Sequence, residues 1–185
     1  MGKLIFILGG ARSGKSAYAQ ELAKHCGIPV TFIATAQAGD DEMSARITKH
    51  RADRPAEWTT LEIQQNIAAN LGTHPTQTGL YLLDCMTFLV ANILFQYTEG
   101  EVCNELKATD AVSAEVEELL AHIHSNKADW IIISNEVGLG LVPPYPLGRI
   151  YRDLLGMANQ RIAAEADEAY MLMAGIPMPI HGYRR

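Results

Sequence analysis

The sequence is poor in the features that mark secreted, membrane-bound or nucleic-acid-coating proteins. Its 185 residues include only three cysteines, Cys26, Cys85 and Cys103, and these form no CxxC pair. Their odd number and wide spacing argue against a disulfide framework, suggest no zinc site, and suit reduced thiols in a cytosolic compartment. Positive charge is also in deficit. Fifteen Lys and Arg stand against 21 Asp and Glu, a net charge of −6, which is the wrong sign for a protein that coats a nucleic-acid backbone. No long hydrophobic run is present. The most apolar stretch, Met86 to Phe95, falls well short of the roughly 18 residues that a membrane span needs. The opening run Leu4–Leu8 is too short for a signal peptide and passes directly into glycines. The expectation is a cytoplasmic protein with no transmembrane segment and no nucleic-acid partner. Internal repeats, low-complexity tracts and long linkers are absent as well.

What is present suits a folded core. Hydrophobic residues make up 48% and charged residues 19%, enough apolar side chain to offset ordering entropy. The length lies within the roughly 100–200 residues of a typical domain, so residues 1–185 are expected to form a single domain. Apolar runs of strand length alternate with longer segments of helical period, which predicts an α/β fold. The strands are expected at Lys3–Leu8, Val30–Ala34, Leu80–Leu83, Trp130–Ser134 and Ala169–Met173. Several are continuously apolar, as in a mostly parallel sheet buried on both faces. Helices are expected at about 15–25, 41–53, 62–71, 86–97, 110–125 and 146–166 from the three- and four-residue spacing of apolar positions. In open α/β sheets ligands bind beyond the carboxyl ends of the strands, so the residues after each apolar run are where chemistry is sought.

After the first strand comes Gly9-Gly10-Ala11-Arg12-Ser13-Gly14-Lys15-Ser16, a full match to GxxxxGK[ST]. Such glycines let the backbone wrap a phosphate and aim its N–H groups at the oxygens, while Lys15 reaches the β and γ phosphates and the Ser16 hydroxyl ligates magnesium. The preceding apolar strand and the helical Ser16–Lys24 segment are the setting this motif requires. Asp84, at the end of Leu80–Leu83, lies where the magnesium of a nucleotide would be held; a turn or cap Asp is the plain alternative.

A phosphate loop names a superfamily rather than a reaction. More informative is the segment 40–55, whose acidic start suits a helix N-terminus and whose Pro55 discourages helix at Arg54. On the expected helix Arg46 and His50 share a face, and Lys49, Arg51 and Arg54 add positive charge around the imidazole. An amphipathic helix with a solvated histidine is one reading. The other is chemical: neighbouring cations disfavour the imidazolium, keep His50 neutral and nucleophilic, and neutralise a phosphate brought to it.

The segments GGARSGKS at 9–16, Ile33-Ala34-Thr35-Ala36, Asp41-Glu42-Met43, Arg46-Ile47 leading to His50, Arg54-Pro55 and Trp58-Thr59-Thr60-Leu61-Glu62 together resemble a known family. It is that of the bifunctional adenosylcobinamide kinase/adenosylcobinamide-phosphate guanylyltransferases of cobalamin synthesis. Asn135-Glu136-Val137-Gly138, Val142-Pro143, and Arg152-Asp153 with Gly156, Asn159 and Gln160 continue the likeness over nearly the whole chain.

The resemblance implies a P-loop NTPase fold of RecA-like, three-layer type. It implies phosphorylation of adenosylcobinamide with ATP or GTP, then transfer of GMP from GTP to the adenosylcobinamide phosphate through a guanylylated histidine, with magnesium as cofactor and a homotrimeric assembly. Carried over, the histidine is His50. The 9–16 loop holds the triphosphate, Ala34, Thr35, Ala36, Arg51, Ala52, Asp53 and Arg54 line the GTP site, and Glu62 and Asp84 complete it. As bare sequence Glu62 is equally a helix-start carboxylate. Asn135 and Glu136, just after the Trp130–Ser134 strand, fall on the expected site side, where they contact substrate or position water or equally form a plain turn, and the loop 138–146 is a corrinoid wall, a subunit contact or a rigid connection. Rival functions are a phosphate-loop kinase for another small metabolite and a nucleotide-controlled binding module.

Overall fold

The computed structural model of the chain describes residues 2–37, 54–73 and 78–180. The helix expected over 41–53 lies outside them. The described elements run β1 (Leu4–Gly9), α1 (Lys15–His25), β2 (Val30–Ala34), β3 (Thr59–Glu62), α2 (Ile67–Thr73), β4 (Leu80–Asp84) and α3 (Met86–Gln96). They continue with β5 (Thr98–Glu99), β6 (Val102–Cys103), α4 (Glu105–Ser125), β7 (Asp129–Ile133), α5 (Pro146–Glu165), β8 (Glu168–Met173) and β9 (Ile176–Ile180).

Seven strands form one sheet in the order β3-β2-β4-β7-β1-β8-β9. Every pairing is parallel except β8 with β9, so the mostly parallel sheet read from the apolar runs is present. Alternate side chains along each strand enter two separate cores. Phe6, Ile33, Leu83, Trp130 and Ile132 join the core packed by α2 to α5. Ile7, Phe32, Leu82, Ile131 and Ile133 join the core packed by α1 on the opposite face. Both faces are therefore dry, which is why these strands read as unbroken apolar runs rather than alternating ones. No described helix is long and apolar enough to cross a membrane.

Four elements differ from expectation. The helix expected from 62 begins at Ile67, because Thr59–Glu62 pairs parallel to the outer edge of β2, a use that suits its β-branched threonines. The carboxylate of Glu115 on α4 accepts the backbone N–H groups of Asn66 and Ile67 at 2.7 and 2.9 Å and so fixes the start of α2. The short hairpin β5–β6 has no counterpart among the expected elements. Next, α4 starts at Glu105, where the Asn104 side chain caps it by accepting the Lys107 N–H at 3.2 Å. Finally, β9 is a strand despite two prolines. Ala174 and Gly175, with φ of 51° and 81°, make the tight turn that joins β8 to β9. Pro177 and Pro179 lie opposite Leu172 and Tyr170, two residues apart on an edge strand, so that both ring nitrogens face the unpaired side.

Candidate active site

The loop between β1 and α1 is held from several sides. The Ser13 carbonyl accepts the Gly175 N–H at 2.9 Å, and the Gly9 carbonyl accepts the Glu136 N–H at 3.1 Å. Thus the β8–β9 turn and the segment after β7 both brace the loop. Gly14 ends it with φ 95° and precedes α1 without any side-chain cap, which leaves the first N–H groups of that helix available to an anion. Gly9 is required by space: a Cβ there would fall 2.6 Å from both the Leu172 carbonyl oxygen and Ser13 Oγ.

Lys15 is buried, and its ammonium donates to the Gly10 carbonyl at 2.7 Å and to Ser13 Oγ at 3.5 Å. Burial lowers its pKa, while the nearby Asp84 charge works in the opposite direction. The ammonium is thus folded back on its own loop, a cation at the site ready to exchange a carbonyl for a phosphate oxygen.

Beyond the loop opens a cavity of about 380 Å³. The structure brings Ala11, Arg12, Lys15, Ser16, Ala34, Ala36, Arg54, Glu62 and Asp84 of the expected site residues to its walls. Gly9, Gly10, Ser13 and Gly14 form the loop backbone behind them. Thr35 departs from expectation. It is fully buried, its hydroxyl donates to the Cys85 carbonyl at 2.7 Å and accepts the Cys85 N–H at 2.8 Å. Instead of lining the cavity, it clamps the end of β2 to the end of β4 and so sets Asp84 in place. His50, Arg51, Ala52 and Asp53 lie outside the described residues.

Four lining residues have no place in the expected set, Phe32, Cys85, Phe88 and Ile133, and Asn135, expected on the site side, lines the cavity with them. The Arg54 guanidinium lies 3.6 Å from the Phe32 ring centroid, a cation–π contact that orients the charge. Burial, helped by the charge of Asp84, pushes the Cys85 thiol up to about 11, so it is a neutral wall rather than a nucleophile. Asn135 is fixed through its backbone: its N–H donates to Thr87 Oγ1 at 3.2 Å and its carbonyl accepts from Asn159 Nδ2 at 3.0 Å. The signal that finds Cys85 and Asn135 is their position immediately past a strand's carboxyl end. The two phenylalanines carry no such signal.

Cationic side chains, loop amides and two carboxylates around one cavity suit a magnesium-bound nucleoside triphosphate and phosphoryl or nucleotidyl transfer. Comparison with known proteins gives the same direction. The family model for cobinamide kinase / cobinamide phosphate guanyltransferase matches residues 5–180. The chain is 43% identical over 176 residues to the bifunctional adenosylcobalamin biosynthesis protein CobP of Pseudomonas aeruginosa, covering 95% of this chain and 96% of that protein. It is 38% identical over 180 residues to the corresponding protein CobU of Escherichia coli, covering 96% and 99%. In fold it is similar to the RadB recombinase, with a TM-score of 0.50 at 14% identity over 92% of this chain and 74% of that one. A type III secretion system ATPase has a TM-score of 0.52 at 12% identity, covering 94% and 51%. These two likenesses bear on the fold alone, where they agree with the expected P-loop α/β architecture. A match this long and this similar settles descent: the chain belongs to the cobinamide kinase / cobinamide phosphate guanyltransferase family.

Proposed function

We propose that both family reactions run at the one phosphate loop of this chain, with His50 as the covalent carrier of GMP. The observation that carries the proposal is the convergence of Lys15, Ser16, Arg54, Glu62 and Asp84 on a single cavity. In the kinase step the γ phosphate of ATP or GTP passes to the acceptor hydroxyl of adenosylcobinamide. Lys15, Arg12 and the loop amides balance the charge on the phosphates, and catalysis comes mainly from positioning. In the transfer step neutral His50 attacks the α phosphate of GTP and pyrophosphate leaves, its charge met by the same loop. The phosphate of the acceptor then attacks the guanylylated His50, breaking the P–N bond and freeing the imidazole.

The Ser16 hydroxyl and the Asp84 carboxylate, two hard oxygen donors lining the same cavity, fit magnesium, which takes few protein ligands when it travels with a nucleotide. When bound there it would neutralise phosphate charge. Arg51, Ala52, Asp53, Arg54, Ala34, Ala36 and Glu62 surround the guanosine half of GTP in this reading, and Thr35 acts by positioning. A homotrimer in the cytoplasm, built from one domain spanning residues 1–185, completes it.

The test uses α-labelled GTP and magnesium, followed by acid and alkali treatment of the denatured protein. Label that survives alkali and leaves in acid marks a phosphoramidate. Equal labelling of a His50→Ala protein would refute the assignment. A Lys15→Ala protein loses both activities if the loop is shared; full retention of either activity means separate sites.

A further inference from the structure

A second cavity, of about 460 Å³, opens on the other side of the phosphate loop between α5 and the ends of β1 and β7. Its size falls within the range of about 300–1,000 Å³ typical of ligand pockets. The loop itself links it to the nucleotide cavity. Leu8, the residue before the loop, lines the second cavity, while the neighbours Asn135 and Glu136 line the first and the second respectively. Ser134 Oγ donates to Asn159 Oδ1 at 2.6 Å and Asn159 Nδ2 donates to the Asn135 carbonyl at 3.0 Å, so the wall between the cavities is rigid.

The helix that floors this cavity has two faces. Leu154, Leu155, Ala158 and Ile162 pack into the core, whereas Arg152, Gly156, Gln160 and Ala163 face the cavity. Gly156 is the telling residue. A glycine inside a helix lowers its stability relative to alanine, yet a Cβ at 156 would meet nothing within 4 Å. Packing of the fold does not require it, and any side chain at 156 would take up part of the open space above the helix.

The charges select the occupant. Arg152 is paired with Asp153 at 3.5 Å, and Glu136 faces the same space, so carboxylates outnumber cations and a second phosphate is disfavoured. What remains is a largely apolar lining that includes Leu8, Met157 and Ala163, edged by hydrogen-bond donors and acceptors suited to neutral amides. We propose that this cavity is a subsite for one carboxamide-bearing edge of the cobinamide acceptor, whose corrin ring is too large for the cavity and stays outside it. Arg152, Gln160 and Glu136 exchange hydrogen bonds with its amides while its hydroxyl arm reaches across Asn135 to the phosphate loop. The inference rests on the reading of the first cavity as the nucleotide site.

Two variants fill the space: Gly156→Leu from the floor and Gln160→Trp from the exposed rim. Adenosylcobinamide binding is read by equilibrium dialysis from the colour of the corrinoid, together with the acceptor KM of the kinase step, GTP affinity and Tm. In both variants acceptor Kd and KM rise about tenfold or more, because the added side chain occupies space that the acceptor needs. GTP affinity stays at the wild-type value, and Gly156→Leu does not lower Tm because leucine is the better helix former. Wild-type acceptor affinity in both variants refutes the subsite alone, as does a parallel loss of GTP affinity. A wild-type protein that neither binds nor phosphorylates adenosylcobinamide refutes the function and the subsite with it.

Discussion

Thr35 separates two ways in which a residue at a strand end can serve a site. If it touches the nucleotide, removing its hydroxyl weakens binding and leaves the fold alone. If it clamps β2 to β4, as its bonds to the Cys85 N–H and carbonyl at 2.8 and 2.7 Å indicate, the loss falls on stability first. Thr35→Val is nearly isosteric. It leaves the buried Cys85 N–H without an acceptor, a penalty of about 1–3 kcal/mol, and removes one hydrogen bond worth about 1 kcal/mol from the carbonyl. That carbonyl retains a second partner, the Leu89 N–H at 3.3 Å, so its own loss stays small. The sum is about 3 kcal/mol, which in a chain of this length lowers Tm by about 6–12 °C. Thr35→Ser keeps both bonds and loses one methyl, about 1 kcal/mol. Urea and thermal unfolding of the three proteins, with GTP affinity measured well below the transition, decide between the readings. A Thr35→Val protein within about 0.5 kcal/mol of wild type but with GTP binding abolished would refute the clamp.

Gly9→Ala drives a Cβ to within 2.6 Å of the Leu172 carbonyl and Ser13 Oγ, so the loop must shift and GTP affinity should fall more than about tenfold; calorimetric titration at wild-type affinity would contradict it. Glu115→Ala strips the acceptor from the Asn66 and Ile67 N–H groups. It should cost about 2–3 kcal/mol and speed amide exchange over 59–73, and unchanged exchange there would show that α2 does not depend on it. Burial holds the Lys15 ammonium below 10.5, so its charged form is disfavoured in the native state. Stability without nucleotide should therefore rise as pH climbs from that lowered value toward 10.5, a rise that Lys15→Met abolishes, whereas GTP affinity should fall over the same window as the cation is lost. An unfolding series across alkaline pH checks the first trend and a binding series the second.

Much of the fold was legible because its signals are local. A strand buried on both faces must be largely apolar, and β1, β2, β4 and β7 are, apart from Thr31 within β2 and the terminal Asp84 and Asp129 of β4 and β7. The misreadings come from partners distant in sequence. Ile63, Ile67 and Leu71 are all buried and spaced by four, so they mimic a helix that starts early. Only the edge of β2, some thirty positions away in the chain, turns Thr59–Glu62 into a strand. The prolines of β9 forbid an interior strand and permit an edge, and which of these applies depends on where β8 falls in the sheet.

The site follows the same division. GxxxxGKS is legible because a phosphate is bound by consecutive amides and two adjacent side chains, all within one turn of chain. Phe32 and Phe88 are not, since an aromatic residue in an apolar run gives no sign of which face it takes. The position past β7 shows the limit of the strand-end rule most sharply. Successive residues of an extended segment point to opposite sides, so Asn135 and Glu136, adjacent in sequence, line different cavities. The rule marks both and cannot separate them, yet that separation has a chemical use. A chain of 185 residues that handles a triphosphate and a bulky acceptor must keep them apart without moving the acceptor's reactive oxygen out of reach. A rigid wall one residue thick, fixed by Asn159 from behind, meets both demands.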